Sequence, residues 1–131
     1  MFKTLNKVPN EHLASPLQCR RRGRSLVLTP IIMDPIRAAV VGAGLAATVF
    51  HVPLVLSFPT LFNLVAVVER TPPADAPEGT IAKKFGVQPK LYNKLEDVLN
   101  DPHVELIVVA TPNSTHFEFA KKALEAGKHG E

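Results

Sequence analysis

Between Ala38 and Val68 the sequence carries no Asp, Glu, Lys or Arg, and an uncharged stretch of that length has few stable homes. It either crosses a bilayer or lies inside a globular domain. Crossing is unfavourable here, because Pro53 and Pro59 interrupt a helix while His51 and Asn63 would sit in hydrocarbon. The apolar pattern also breaks at Gly42 to Gly44 and again at Pro59-Thr60. Two buried strands joined by a buried helix explain the missing charges without those penalties, so no membrane partner is expected.

The rest of the chain continues the alternation. Ile36 to Val41 reads as a strand buried on both faces, and Leu45 to about Ser57 as a helix apolar nearly all round, packed between the sheet and a neighbouring domain. Pro53 should kink or split that helix. Leu61 to Val68 is a second strand, and the proline-rich Thr71 to Gly79 a loop. Thr80 can cap a short helix through Phe85 with Gly86 as its stop, and Val87 to Tyr92 is a weak strand broken by Pro89. Asn93 and Glu96 resemble a capping box for a helix to about Asn100. After the Asp101-Pro102 turn, Val104 to Ala110 is the clearest strand, and His116 to Ala126 is a helix stopped by Gly127. Strands alternating with helices imply an α/β fold, a parallel sheet with helices on both faces.

Placement gives one motif its meaning. Gly42-Ala43-Gly44-Leu45-Ala46-Ala47 follows a strand and opens a helix, fitting the G-x-G-x-x-A form of the dinucleotide fingerprint of Rossmann domains. Gly42 would permit the tight turn, Gly44 the close approach of a pyrophosphate, and Ala47 close helix-to-strand packing, while Leu45 sits at the helix N-terminus that faces the phosphates. Glu69, ending the second strand, stands where a carboxylate would meet an adenosine ribose and repel a 2′-phosphate, which leans the cofactor NAD(P) toward NAD. Arg70 weakens that lean, since its guanidinium can stack on adenine or pair with the phosphate. Both also fit an ordinary acid and base at a strand end. Thr111-Pro112-Asn113 follows the last strand at the carboxyl end of the sheet, where ligands bind in open α/β folds; a turn and helix cap, with Ser114 or Thr115 bonding the first N–H groups, is the plainer alternative. His51 and His116 lack a carboxylate placed against them, so neither is assigned to catalysis, and no metal-ligand spacing occurs.

The net charge of +3 belongs to the first 30 residues, where Lys3, Lys7, Arg20, Arg21, Arg22 and Arg24 face Glu11 alone; residues 31 to 131 hold nine basic and eleven acidic side chains. Residues 1–34 read as a disordered basic leader, with a mitochondrial presequence or a nucleic-acid arm as alternatives; the domain of 35–131 itself calls for no nucleic acid. The single Cys19 excludes a disulfide framework within the chain and fits a reducing, cytoplasmic setting, with a mitochondrial one as the alternative.

Taken together, VVGAGLAATVFHVPL, LVAVVER and VVATPNSTHFEFAKKALEAGKH resemble the N-terminal half of the Gfo/Idh/MocA oxidoreductases. The resemblance covers about Pro35 to His129. It implies a Rossmann domain followed by an α/β substrate domain, and hydride transfer between NAD(P) and a hydroxyl carbon of a sugar, polyol or related molecule. It makes Gly42, Gly44 and Ala47 pyrophosphate-turn residues, puts Glu69 and Arg70 at the adenosine end, and lines the cleft with Thr111, Pro112, Asn113 and His116. The family continues from its Gly-Lys-His stretch into a strand and a Glu-Lys-Pro motif with a catalytic lysine, whereas here Gly127-Lys128-His129 is followed by Gly130-Glu131. The expectation is therefore a C-terminally incomplete, cofactor-binding module without catalytic residues of its own, with an unpaired last strand open to self-association and marginal stability. A nucleotide-sensing interaction protein and a methyltransferase-like domain are the rival readings.

Overall fold

The computed structural model describes residues 33–131, and the expectations for the basic leader, apart from Met33 and Asp34, lie outside them. Five parallel strands form one sheet in the order β3-β2-β1-β4-β5. They are β1 (Ile36–Val41), β2 (Phe62–Val68), β3 (Lys90–Tyr92), β4 (Leu106–Val109) and β5 (His129–Gly130). Helices α2 (Thr80–Phe85), α3 (Leu95–Leu99) and α4 (Asn113–Glu125) join the later strands, and a composite helix joins β1 to β2.

Because successive strand residues point to opposite faces, β1 feeds two cores. Ala39 and Val41 pack with Val98, Ile107 and Ala123, whereas Val40 packs with Ala47, Val52, Val67 and Ile81. Val40, Val52, Ile81 and Ile107 are almost wholly buried, each such burial being favourable by roughly 1.5–3 kcal/mol. The uncharged stretch is thus strand, helix and strand, and no helix among the described residues is long and apolar enough to cross a membrane.

The first helix accommodates Pro53 without breaking. Ala47–His51 is a π-helical segment leading directly into α1 (Val52–Ser57), with the Val52 N–H donating five residues back to the Ala47 carbonyl. Pro53 falls in the first turn of α1, where an absent N–H costs little, and the wider π turn takes up the displaced carbonyls. Thr48 helps by bonding the Gly44 carbonyl through its N–H at 3.0 Å and its hydroxyl at 3.1 Å. The expected apolar surface all round this helix is divided: Ala47, Val52 and Val55 face the sheet, while Leu45, Phe50 and Leu54 are more than half exposed.

Several boundaries differ from the sequence expectation. β3 begins only after Pro89, which lacks the N–H a ladder needs. Thr80 does not cap α2; Gly79 holds the cap position at φ 102° and Thr80 is the first helical residue. The Asn93 capping box does not form, because Lys94 is the residue flanking α3 and no side chain caps it. α4 starts at Asn113 rather than His116. The expectation of an unpaired β4 also fails. Gly127, at φ 72°, reverses the chain after α4 so that β5 pairs with β4, with the Glu131 N–H on the Ile107 carbonyl at 3.0 Å. β4 is therefore an interior strand of the sheet, paired with β1 on one side and β5 on the other.

Candidate functional site

Strand order places β1 between β2 and β4, so the connection after β1 runs to one side of the sheet and the connection after β4 to the other, and a crevice opens over the carboxyl ends of these strands. A cavity of about 740 Å³ occupies that position, within the usual range for small-molecule and cofactor sites. Gly42, Gly44, Glu69, Arg70 and Thr111 all border it.

Gly42 is fixed by the protein itself. Its N–H bonds the Val68 carbonyl at 2.9 Å, its φ is 106°, and a Cβ there would lie 2.7 Å from the Ala110 carbonyl oxygen. Only glycine closes the three strand ends this tightly. Gly44 differs: nothing lies within 4 Å of where its Cβ would be, and its φ is not in the left-handed region. The fold does not need a glycine at that position, but a ligand approaching the backbone at the start of the following helix would. Ala47 has no exposed surface and sits against β1, which explains its small side chain by packing.

At the far end of the cavity, Glu69 turns both carboxylate oxygens onto α2. Oε2 accepts the Thr80 N–H at 2.8 Å and Oε1 accepts the Thr80 hydroxyl at 2.5 Å. Arg70 is exposed and forms no ion pair among the described residues. Glu96, at the rim, keeps its carboxyl below the ordinary value of 4.5, chiefly through its own backbone N–H and then through Lys122.

Thr111 borders the cavity beside Gly42. The Thr115 hydroxyl has one proton for two neighbours, the Thr111 hydroxyl at 2.7 Å and the Pro112 carbonyl at 2.8 Å. The imidazole Nε2 of His116 lies 2.6 Å from the Thr111 carbonyl, an acceptor, so Nε2 carries the proton and Nδ1 is the acceptor of the neutral ring. Thr115 and His116 thus brace the Thr111 loop. Leu45, Pro112, Asn113 and His116 are exposed and do not border the cavity, whereas Asn93, Lys94 and Phe119, which the sequence reading missed, do. Asn93 and Lys94 follow β3 at the same carboxyl end that drew attention to Thr111, so strand position was the available signal. Among the described residues no three His, Cys, Asp or Glu side chains are grouped to hold a metal ion.

Residues 36–129 match the oxidoreductase family with an NAD-binding Rossmann fold, Gfo/Idh/MocA. An oxidoreductase of Schizosaccharomyces pombe is 39% identical over 99 residues, covering 74% of this chain and 26% of that protein. The scyllo-inositol 2-dehydrogenase (NADP+) of Bacillus subtilis is 30% identical, over 74% of this chain and 25% of its own. Among solved structures, an oxidoreductase of Bacteroides fragilis superposes with a TM-score of 0.64 at 32% identity, covering 75% of this chain and 28% of that one. The chain spans about a quarter of the length of the curated relatives it matches. With the fingerprint turn, the strand order and a match running from β1 into β5, the chain belongs to the Gfo/Idh/MocA oxidoreductase family through its NAD-binding Rossmann domain.

Proposed function

We propose that residues 35–131 bind a nicotinamide dinucleotide as the cofactor module of an oxidoreductase acting on a sugar, polyol or related hydroxyl compound, with residues 1–34 as a basic leader. The observation that carries this reading is Gly44, whose lack of a side chain serves no packing contact and leaves the backbone bare beside the cavity. The diphosphate would lie along Gly42 to Leu45, at the N-terminal end of the first helix, where N–H groups and the helix dipole favour an anion. Glu69 and Arg70 would border the adenosine end. The Thr111-Pro112-Asn113 loop, braced by His116, would border the nicotinamide half. The bound nicotinamide supplies hydride transfer, while the protein positions it.

The proposed hydroxyl substrate follows the family and the inositol substrate named for the Bacillus relative. Its acid-base groups are proposed to come from the part of the relatives that has no counterpart in these 131 residues. The single cysteine supports a reducing, cytoplasmic setting. Calorimetric titration of the 131-residue chain with NADH, NADPH and S-adenosylmethionine tests the binding step. Saturable binding of a dinucleotide is expected; binding of none of the three, or of S-adenosylmethionine alone, would overturn the reading.

A further inference from the structure

Glu69 is the acidic residue whose position ordinarily opposes a 2′-phosphate, but its carboxylate is already in use. Both oxygens bond Thr80, one to the hydroxyl at 2.5 Å and one to the backbone N–H at 2.8 Å. The contact is also shaped from the other side. Gly79, buried at φ 102°, has the Glu69 carboxylate and Leu91 within 3.3 Å of its would-be Cβ, so a larger residue would disturb the place where the carboxylate rests. Arg70, the next residue, borders the same cavity without an ion-pair partner among the described residues.

From this arrangement we infer that Thr80 sets the cofactor preference toward NADP, by fastening Glu69 to the first turn of α2 and leaving Arg70 to meet the 2′-phosphate; the inference rests on the dinucleotide reading above. An adenosine ribose needs a carboxylate free to accept from its hydroxyls. Here Thr80 takes one acceptor direction on each oxygen and so fixes the carboxylate against α2, while the helix N–H offsets part of its charge. The guanidinium next to it offers the paired donors that suit a phosphate. The lean toward NAD drawn from residue type assumed a free Glu69, and that assumption is what the Thr80 contact removes. Thr80 is thus a positioning residue that acts through Glu69.

The test is the ratio of NADH to NADPH dissociation constants, measured on the whole chain by nicotinamide fluorescence. The unmodified chain should hold NADPH about tenfold more tightly than NADH. Thr80→Val removes the hydroxyl bond and should shift the ratio toward NADH by about fivefold, with Thr80→Ser restoring it. Thr80→Pro removes hydroxyl and N–H together at the first helical position, where proline is well tolerated, and should shift the ratio further. If Thr80→Val proves unstable, Thr80→Pro carries the same comparison. Arg70→Ser should weaken NADPH by a larger factor than NADH, moving the ratio toward NADH. Tighter binding of NADH than NADPH by the unmodified chain, or a ratio unmoved in both Thr80→Val and Thr80→Pro, overturns this inference while leaving the dinucleotide reading intact. Failure of both dinucleotides to bind overturns the reading and the inference with it.

Discussion

At the amino ends of β1 and β4, polar groups are bonded to one another. The Arg37 guanidinium meets Glu105 at 2.9 Å while the Arg37 N–H donates to the same carboxylate at 3.0 Å, and Lys128 donates to the carbonyls of Asp101 and Val104 at 2.8 and 2.7 Å. At the carboxyl ends the side chains are also bonded, Glu69 to Thr80 and His116 to the Thr111 carbonyl, but these contacts brace loops around an open cavity. At one end of the sheet the Arg37, Glu105 and Lys128 side chains tie strands and turns to one another. The other fixes its rim and leaves a backbone turn bare. The difference separates residues that tie the fold together from residues that shape the cavity.

Substitutions at the two ends can break that comparison. The largest effect is expected for Gly42→Ala, where an added Cβ would lie 2.7 Å from the Ala110 oxygen on a backbone at φ 106°. Strain and overpacking together should cost about 2–4 kcal/mol, and dinucleotide binding should be lost with the turn; thermal unfolding and titration both read this out. Gly44→Ala meets no neighbour, so its melting temperature should stay near that of the parent. Its dinucleotide affinity should fall about tenfold or more, equivalent to ~1.4 kcal/mol. A Gly44→Ala protein that melts early but binds normally would reverse the assignment of the two glycines.

The amino end should respond in the opposite sense. Lys128→Met removes the Lys128 bond to the Val104 carbonyl and leaves the Asp101 carbonyl with the Val104 N–H alone, which should lower stability by about 1–2 kcal/mol in urea unfolding, with dinucleotide affinity unchanged. The smallest effect is a pH dependence. The Arg37 N–H and guanidinium hold the Glu105 carboxyl below its ordinary value of 4.5. A depressed folded-state value means that the contribution is present at neutral pH and is lost as pH falls below 4.5 through the folded value. Glu105→Gln should therefore flatten the acid side of a melting-temperature profile between neutral pH and the acid limb, and only slightly, because both side chains are more than two-fifths exposed. An acid limb equally steep in the variant would remove Glu105 from the account.

The sequence by itself determined the alternation of strand and helix, the burial of the uncharged stretch, the place of the fingerprint turn, and the glycine stops at Gly86 and Gly127. These are local matters: periodicity, missing charge and left-handed backbone can be read within a few residues. The same reading found Gly42, Gly44, Glu69, Arg70 and Thr111, because each follows a strand recognisable on its own. It missed Asn93 and Lys94 because β3 is three residues long and obscured by Pro89. Only the tertiary structure decided that the last residues pair with β4, since two residues carry no strand pattern until a neighbour supplies the ladder. It alone separated Gly42 from Gly44, two identical residues in one motif, by what stands opposite each. It alone also engaged Glu69 with Thr80, eleven residues away. A carboxylate's type is written in the chain, but the donors that occupy it are set by which elements the fold brings together.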